Sequence, residues 1–191
     1  MRVCIFASSS SRIHNTYAEA ASSLGILLAR EGIDVVFGGG GIGLMKKLAD
    51  TIIENNGTIT GVIPSFMKAQ GWDHSEVNEM IVTEDMAERK RQMFAMADAI
   101  VALPGGVGTL EELTEAITLK QLGLFKGPII ILNTLDFYRS LCDFFDHMVA
   151  ENFLRAEHKA IWEVAATPEE VVTLLHNNNR WLSDPLRIAK I

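Results

Sequence analysis

Pro104-Gly105-Gly106-Val107-Gly108-Thr109 sets a glycine-rich turn directly before Leu110-Glu111-Glu112-Leu113, where apolar residues begin to recur at helical spacing. Such a turn carries little side-chain bulk, and the helix it feeds points unbonded N–H groups and the positive end of its dipole at one spot. That is a place for an oxyanion. Glu111, Glu112 and Glu115 follow within two turns, so acid stands beside the anion site, and the combination points to chemistry on a phosphorylated molecule. Gly105, Gly106, Gly108 and Thr109 are the candidate phosphate-binding residues, and Glu112 is the candidate acid, base or charge stabiliser. A second reading is equally open for Glu112. Thr109 opens the helix, and Glu112 three residues on can fold back onto the N-cap N–H as the far corner of a capping box.

The helix beginning near Asp85 is the second informative stretch, with Asp85 and Glu88 as its own capping box. At about 100° per residue, Met86, Met93 and Ala97 fall on one narrow stripe, the natural buried face. Arg89 and Lys90 flank that stripe. Charge beside a buried face is costly unless paired, and snorkelling to solvent would explain one lysine but less readily an adjacent Arg-Lys pair. The anionic partners on offer are a ligand phosphate and the carboxylates that follow Thr109.

Two further loops follow apolar strands. Ser8-Ser9-Ser10-Ser11 ends the strand Arg2–Ala7; it reads first as plain loop, with Ser9 able to hold an oxyanion. Gly38-Gly39-Gly40-Gly41-Ile42-Gly43-Leu44-Met45 ends the strand Ile33–Phe37 and satisfies G-x-G-x-x-G through Gly38, Gly40 and Gly43. It follows the second strand, not the first, and no acidic residue closes a strand about 20 residues on, so a dinucleotide is disfavoured. The loop instead marks a close approach of backbone to a ligand or to its neighbour. Ser65–Val77 reads as a flap or an ordinary connection, and His74, without partner spacing, as a surface histidine rather than a metal ligand.

Around these loops the chain alternates strands and helices. Asn15 or Thr16 caps a first helix through Tyr17, Ala21, Leu24 and Leu28, ended by Gly32. Ile59–Pro64, Glu79–Thr83, Ala97–Leu103 and Ile129–Leu132 read as further strands. The helix from Thr109 is expected to bury Leu110, Leu113 and Ile117. A Phe-rich helix over Leu135–Phe153 is core or subunit contact, and Pro168 opens a last helix through Leu175. Continuously apolar strands alternating with helices argue for a parallel sheet covered on both faces, with ligands at the carboxyl ends of the strands.

The 191 residues fit one domain, expected over 1–176 with a tail over 177–191. A net charge of −7 argues against nucleic acid as a partner, since that binding is driven by phosphate neutralisation. Two cysteines, Cys4 and Cys142, are too few for a disulfide or metal framework. No stretch approaches the length of a membrane span and no leader is visible at Val3–Ala7, so the expected location is cytoplasmic.

These motifs resemble the Lonely Guy (LOG) family, the cytokinin-activating phosphoribohydrolases long mislabelled as lysine decarboxylases. Pro104, Gly105, Gly106, Gly108, Thr109 and Glu112 complete its P-G-G-x-G-T-x-x-E; Met86, Arg89 and Lys90 its M-x-x-R-K; Gly38 to Met45 its G-G-G-x-x-G-L-M. The likeness runs from about Val3 to Leu175. It implies a Rossmann-like, doubly wound α/β fold and hydrolysis of the N-glycosidic bond of a nucleoside 5′-monophosphate, such as AMP or its N6-prenylated form. It makes Arg89 and Glu112 the catalytic pair, with Lys90, Glu115, Thr118, Gly40, Gly43, Met45 and Ser9 lining the substrate site beside the turn. It implies no metal or other cofactor, and a homodimer. Gly41, Lys46, Ala87, Ser8 and Leu119-Lys120 depart from common family residues but spare Arg89 and Glu112. The competing function is a non-catalytic carrier of a phosphorylated, pterin-type cofactor, which would need phosphate loops but not that pair.

Overall fold

A computed structural model describes residues 1–177. Seven strands form one all-parallel sheet: β1 (Arg2–Phe6), β2 (Asp34–Phe37), β3 (Ile59–Pro64), β4 (Glu79–Thr83), β5 (Ala99–Ala102), β6 (Ile129–Leu132) and β7 (Glu163–Ala165). Their spatial order is β4-β3-β2-β1-β5-β6-β7. The order reverses between β1 and β5, so the serine loop and the Pro104–Thr109 turn emerge side by side at the switch point, where open α/β sheets bind ligands.

The helices are α1 (Asn15–Arg30), α2 (Gly43–Glu54), α3 (Ser65–Ala69), α4 (Met86–Ala95), α5 (Val107–Gln121), α6 (Arg139–Ala150) and α7 (Pro168–His176). Alternation along each strand divides the core into two layers. Val3 and Ile5 pack with Leu24, Leu28, Leu48 and Val171 from α1, α2 and α7. Cys4 and Phe6 face the other way, onto Met93, Leu113, Ile117 and Phe145 from α4, α5 and α6. The single-domain α/β sheet with helices on both faces is therefore as the sequence indicated. Cys4 and Cys142 are both free thiols.

Several local expectations are corrected. His14, not Asn15 or Thr16, caps α1, its Nδ1 accepting from the Thr16 N–H at 3.3 Å. A turn interrupts Leu135–Phe153, so α6 begins only at Arg139. β7 was not foreseen: it is three residues long and preceded by a 3-10 turn over Ala156–Ile161. His74 is buried rather than on the surface, with Nε2 2.9 Å from Asp50 Oδ1 on α2 and Nδ1 accepting the Glu76 N–H. With the Gly41 N–H donating to Trp72 O and the His74 N–H to Gly39 O, it stitches the 72–74 segment onto the Gly38–Gly43 loop. The expected tail beyond 177 lies outside the described residues.

Candidate active site

α5 opens two residues earlier than the sequence indicated, at Val107, with Gly106 as its N-cap and no side-chain cap. Thr109 is thus inside the first turn and cannot head a capping box. The first intrahelical bond is Leu110 N–H to Gly106 O at 3.0 Å, leaving the N–H groups of Val107, Gly108 and Thr109 ahead of it. Leu113 and Ile117 are buried as expected, but Leu110 is exposed, and Thr109 and Glu112 are buried in its place.

Glu112 meets Arg89. Arg89 Nη1 donates to Glu112 Oε1 at 2.9 Å, and both side chains are more than nine-tenths buried. The rest of the guanidinium is held by backbone of β3 and of the residue after β2: Nε donates to Val62 O at 3.0 Å and Nη2 to Gly38 O at 3.1 Å. A Cβ on Gly38 would overlap Nη2, so this glycine is what lets the arginine lie against the loop. Arg89 shares the inner face of α4 with Met93, whereas Met86, expected to be buried, is exposed at the crevice edge. Asp85 caps α4 through the Glu88 N–H at 2.7 Å, and Glu88 reaches back to the Glu84 N–H rather than to that of Asp85.

Burial raises the Glu112 carboxyl above its ordinary range; the Arg89 guanidinium opposes this and Glu111 adds to it. The buried Cys4 thiol beneath is pushed well up, first by burial and then by the Glu112 charge. Glu112 Oε1 is taken by Arg89, while Oε2 accepts no hydrogen bond among the described residues.

The pair floors a crevice of about 450 Å³. Ser9, Met45, Gly106, Gly108 and Thr109 line it with Arg89 and Glu112, and Met67 of α3 completes one wall. Gly105 packs under Thr109 rather than lining the space. Gly40 and Gly43 lie behind it. Gly40 lies beneath the Met45 side chain, and Gly43, at φ +69°, brings its Cα so near the serine loop that a Cβ would stand 2.5 Å from Ser9 C. Lys90, Glu115 and Thr118 border an adjoining hollow of about 470 Å³, with Glu111 common to both. There Lys90 Nζ bridges Glu111 Oε1 and, at 2.6 Å, Glu115 Oε2, so the like-charged pair on α5 is held by a cation from α4. No group of three or more His, Cys, Asp or Glu with metal-binding geometry occurs among the described residues.

The family model described as "Possible lysine decarboxylase" matches residues 45–175. A cytokinin riboside 5′-monophosphate phosphoribohydrolase of Arabidopsis thaliana is 39% identical over 91% of this chain and 81% of its own length. The LOG phosphoribohydrolase of Oryza sativa subsp. japonica is 39% identical over 91% of this chain and 72% of its own length. This chain belongs to the LOG family. Among solved structures, a Moco carrier protein from Chlamydomonas reinhardtii superposes with a TM-score of 0.70 at 21% identity, covering 91% of this chain and 94% of that one. A molybdenum cofactor binding protein from Rippkaea orientalis does so at 0.66 and 24%, covering 91% and 93%. At such identities these likenesses speak to the fold. In this chain the departure at Gly41 has a local reason: a Cβ there would stand 2.7 Å from Asp73 O, where the 72–74 segment crosses. No helix among the described residues is long and apolar enough to cross a membrane.

Proposed function

We infer that the protein hydrolyses the N-glycosidic bond of a nucleoside 5′-monophosphate, AMP or N6-prenyl-AMP, to free base and ribose 5-phosphate. The observation that carries this is the buried Arg89–Glu112 pair at 2.9 Å on the floor of a crevice whose rim is the uncapped start of α5. The N–H groups of residues 107–109 would bind the 5′-phosphate. A Cβ on Gly106 or Gly108 would meet no protein atom within 4 Å, so packing within the chain does not require glycine at either; close approach of a ligand would.

With the phosphate so held, the ribose lies over Glu112. As the C1′–N bond breaks, positive charge builds on the sugar, and the largely buried carboxylate offsets it. Oε2, free of protein donors, orients the attacking water and takes its proton, while the departing base carries the bond's electron pair and is protonated from solvent. A carboxyl raised by burial is the stronger base. Arg89 fixes the carboxylate's orientation and favours its ionised form against the cost of burial. A carrier of a phosphorylated cofactor would use the turn but has no need of the buried pair.

The hydrolase domain is proposed to span residues 1–176, in a homodimer, with a cytoplasmic place that suits two unpaired thiols. Lys90, Glu115 and Thr118 would flank the substrate from the adjoining hollow. Incubating pure protein with AMP, GMP, CMP and N6-prenyl-AMP tests the reading. Release of adenine or its prenylated form with ribose 5-phosphate is expected, and no base from any of the four overturns it.

A further inference from the structure

Tyr138 lies in none of the motifs, yet it touches the crevice's most demanding element. β6 runs beside β5, and the chain leaving it makes a turn in which Leu135 (φ 53°) and Asp136 (φ 57°) both adopt the left-handed conformation without being glycine. L side chains take that conformation at a cost, and something must hold it. Asn133 does so from both sides: its Nδ2 donates to Asp136 Oδ1 at 2.9 Å, and its Oδ1 accepts the Tyr138 N–H at 2.6 Å. Phe137 then packs edge-on between Tyr17 of α1 and Tyr138, with ring centroids 5.9 and 4.9 Å away.

The outcome is that the Tyr138 ring is buried, and its hydroxyl donates to Leu103 O at 2.7 Å. Leu103 is the last residue before the Pro104–Gly108 turn. Its N–H is already bound to Phe6 O, and Pro104 has no N–H to give, so the Leu103 carbonyl is the final anchor before the glycines. Burial pushes the phenol far above its ordinary range, so it remains a donor across the working pH range.

We propose that Tyr138 is a positioning residue for the phosphate-binding turn, its hydroxyl fixing the Leu103 carbonyl and so the direction in which the N–H groups of residues 107–109 point. This rests on the reading of that turn as the 5′-phosphate site. The contorted Asn133–Phe137 turn is the device that delivers the hydroxyl, which accounts for two non-glycine residues being held in an unfavourable conformation on the exterior of the molecule.

The test is the kinetics of Tyr138→Phe, which keeps the ring and removes only the donor. KM for AMP and the inhibition constant of ribose 5-phosphate are expected to rise together by about tenfold, with kcat changed by less than about threefold and inhibition by free adenine unchanged. Asn133→Ala, which releases the turn from its other end, is expected to move the same two constants in the same direction, and serves if the phenylalanine variant does not fold. A variant with lowered Tm but unaltered KM and inhibition constants would make Tyr138 merely structural and overturn the proposal. Wild-type protein that cleaves AMP no faster than adenosine, and is not competitively inhibited by ribose 5-phosphate, would instead remove the phosphate assignment of the turn, and the role of Tyr138 with it.

Discussion

At the scale of single residues, the capping alternative for Glu112 and the catalytic one predict different partners, and the partner is Arg89 Nη1 rather than a backbone N–H. Glu112→Gln therefore has no cap to preserve. The amide oxygen can still accept from Arg89, but the charge that would steady the sugar cation and take the proton is gone. Loss of kcat by about a thousandfold is expected, with KM little changed, as for removal of a group acting mainly in the transition state. Wild-type turnover by the glutamine variant would exclude Glu112 from catalysis. The neighbouring charges make a finer prediction. Glu112 must be ionised to act, and burial raises its carboxyl, so the acid limb of kcat/KM lies above that of an exposed glutamate and activity falls as pH drops through it. Glu111 raises the Glu112 carboxyl and Lys90 lowers it. Glu111→Gln should move the limb to lower pH and Lys90→Met to higher pH. A pH–rate series on the three proteins checks both signs, and limbs that coincide would mean another group sets the profile.

At the scale of elements, loops are placed by contacts that sequence spacing cannot express. Gly43 holds α2 against the serine loop, with a φ of +69° and Ser9 C and Ser10 O where a Cβ would stand, at 2.5 and 2.6 Å. Gly43→Ala combines an unfavourable backbone with a backbone clash, and is expected to cost about 2–4 kcal/mol in denaturant unfolding. It should also weaken substrate binding, because Ser9 and Met45 line the crevice on either side of that contact. Unchanged stability would mean that the loops part at no cost. What was legible in the chain follows the same division. Six of seven strands could be read, because continuous apolar runs are local signals, and Arg89 and Lys90 beside a stripe called for an anionic partner without saying which one; Glu112 as that partner came from the family resemblance. β7 is not legible, because three residues hold no period, and the start of α6 is not, because nothing in Thr134–Asp136 is glycine. His74 is buried because it is paired with Asp50 of α2, 24 residues away, a contact that local spacing cannot express. Leu110 is exposed and Glu112 buried because the inward stripe of α5 runs through Thr109, Glu112, Leu113, Ala116, Ile117 and Lys120, with Leu110 about 100° round the helix from Thr109.

At the scale of the whole molecule, two quantities remain open to prediction. The proposed dimer has apolar surface available: Phe144 and Phe153 on and beyond α6, and Leu124 after α5, are exposed. Light scattering should give twice the 21.0 kDa of one chain, falling toward one chain in Phe144→Glu if α6 is the contact. Wild-type protein at the mass of one chain would refute it. The second quantity is the dependence of stability on pH. Lys120, in the last turn of α5, is only 3% exposed, and burial draws its amine down from 10.5 to about 8, against a weaker pull upward from Glu163. The unfolded chain therefore binds more protons at this site than the folded one between about pH 8 and 10.5, so this group makes the fold more stable as pH rises through that window. Below pH 8 the folded state must carry a buried ammonium. Lys120→Met, of similar length and without charge, is expected to raise Tm at pH 7 by about 3–6 °C, and the gap to wild type should narrow as pH approaches 10. Comparing variant and wild type cancels the thiols and phenols that titrate in the same range. A gap that stays constant from pH 7 to 10 would show that the amine keeps its ordinary affinity for protons despite its burial, and that the change acts through packing alone.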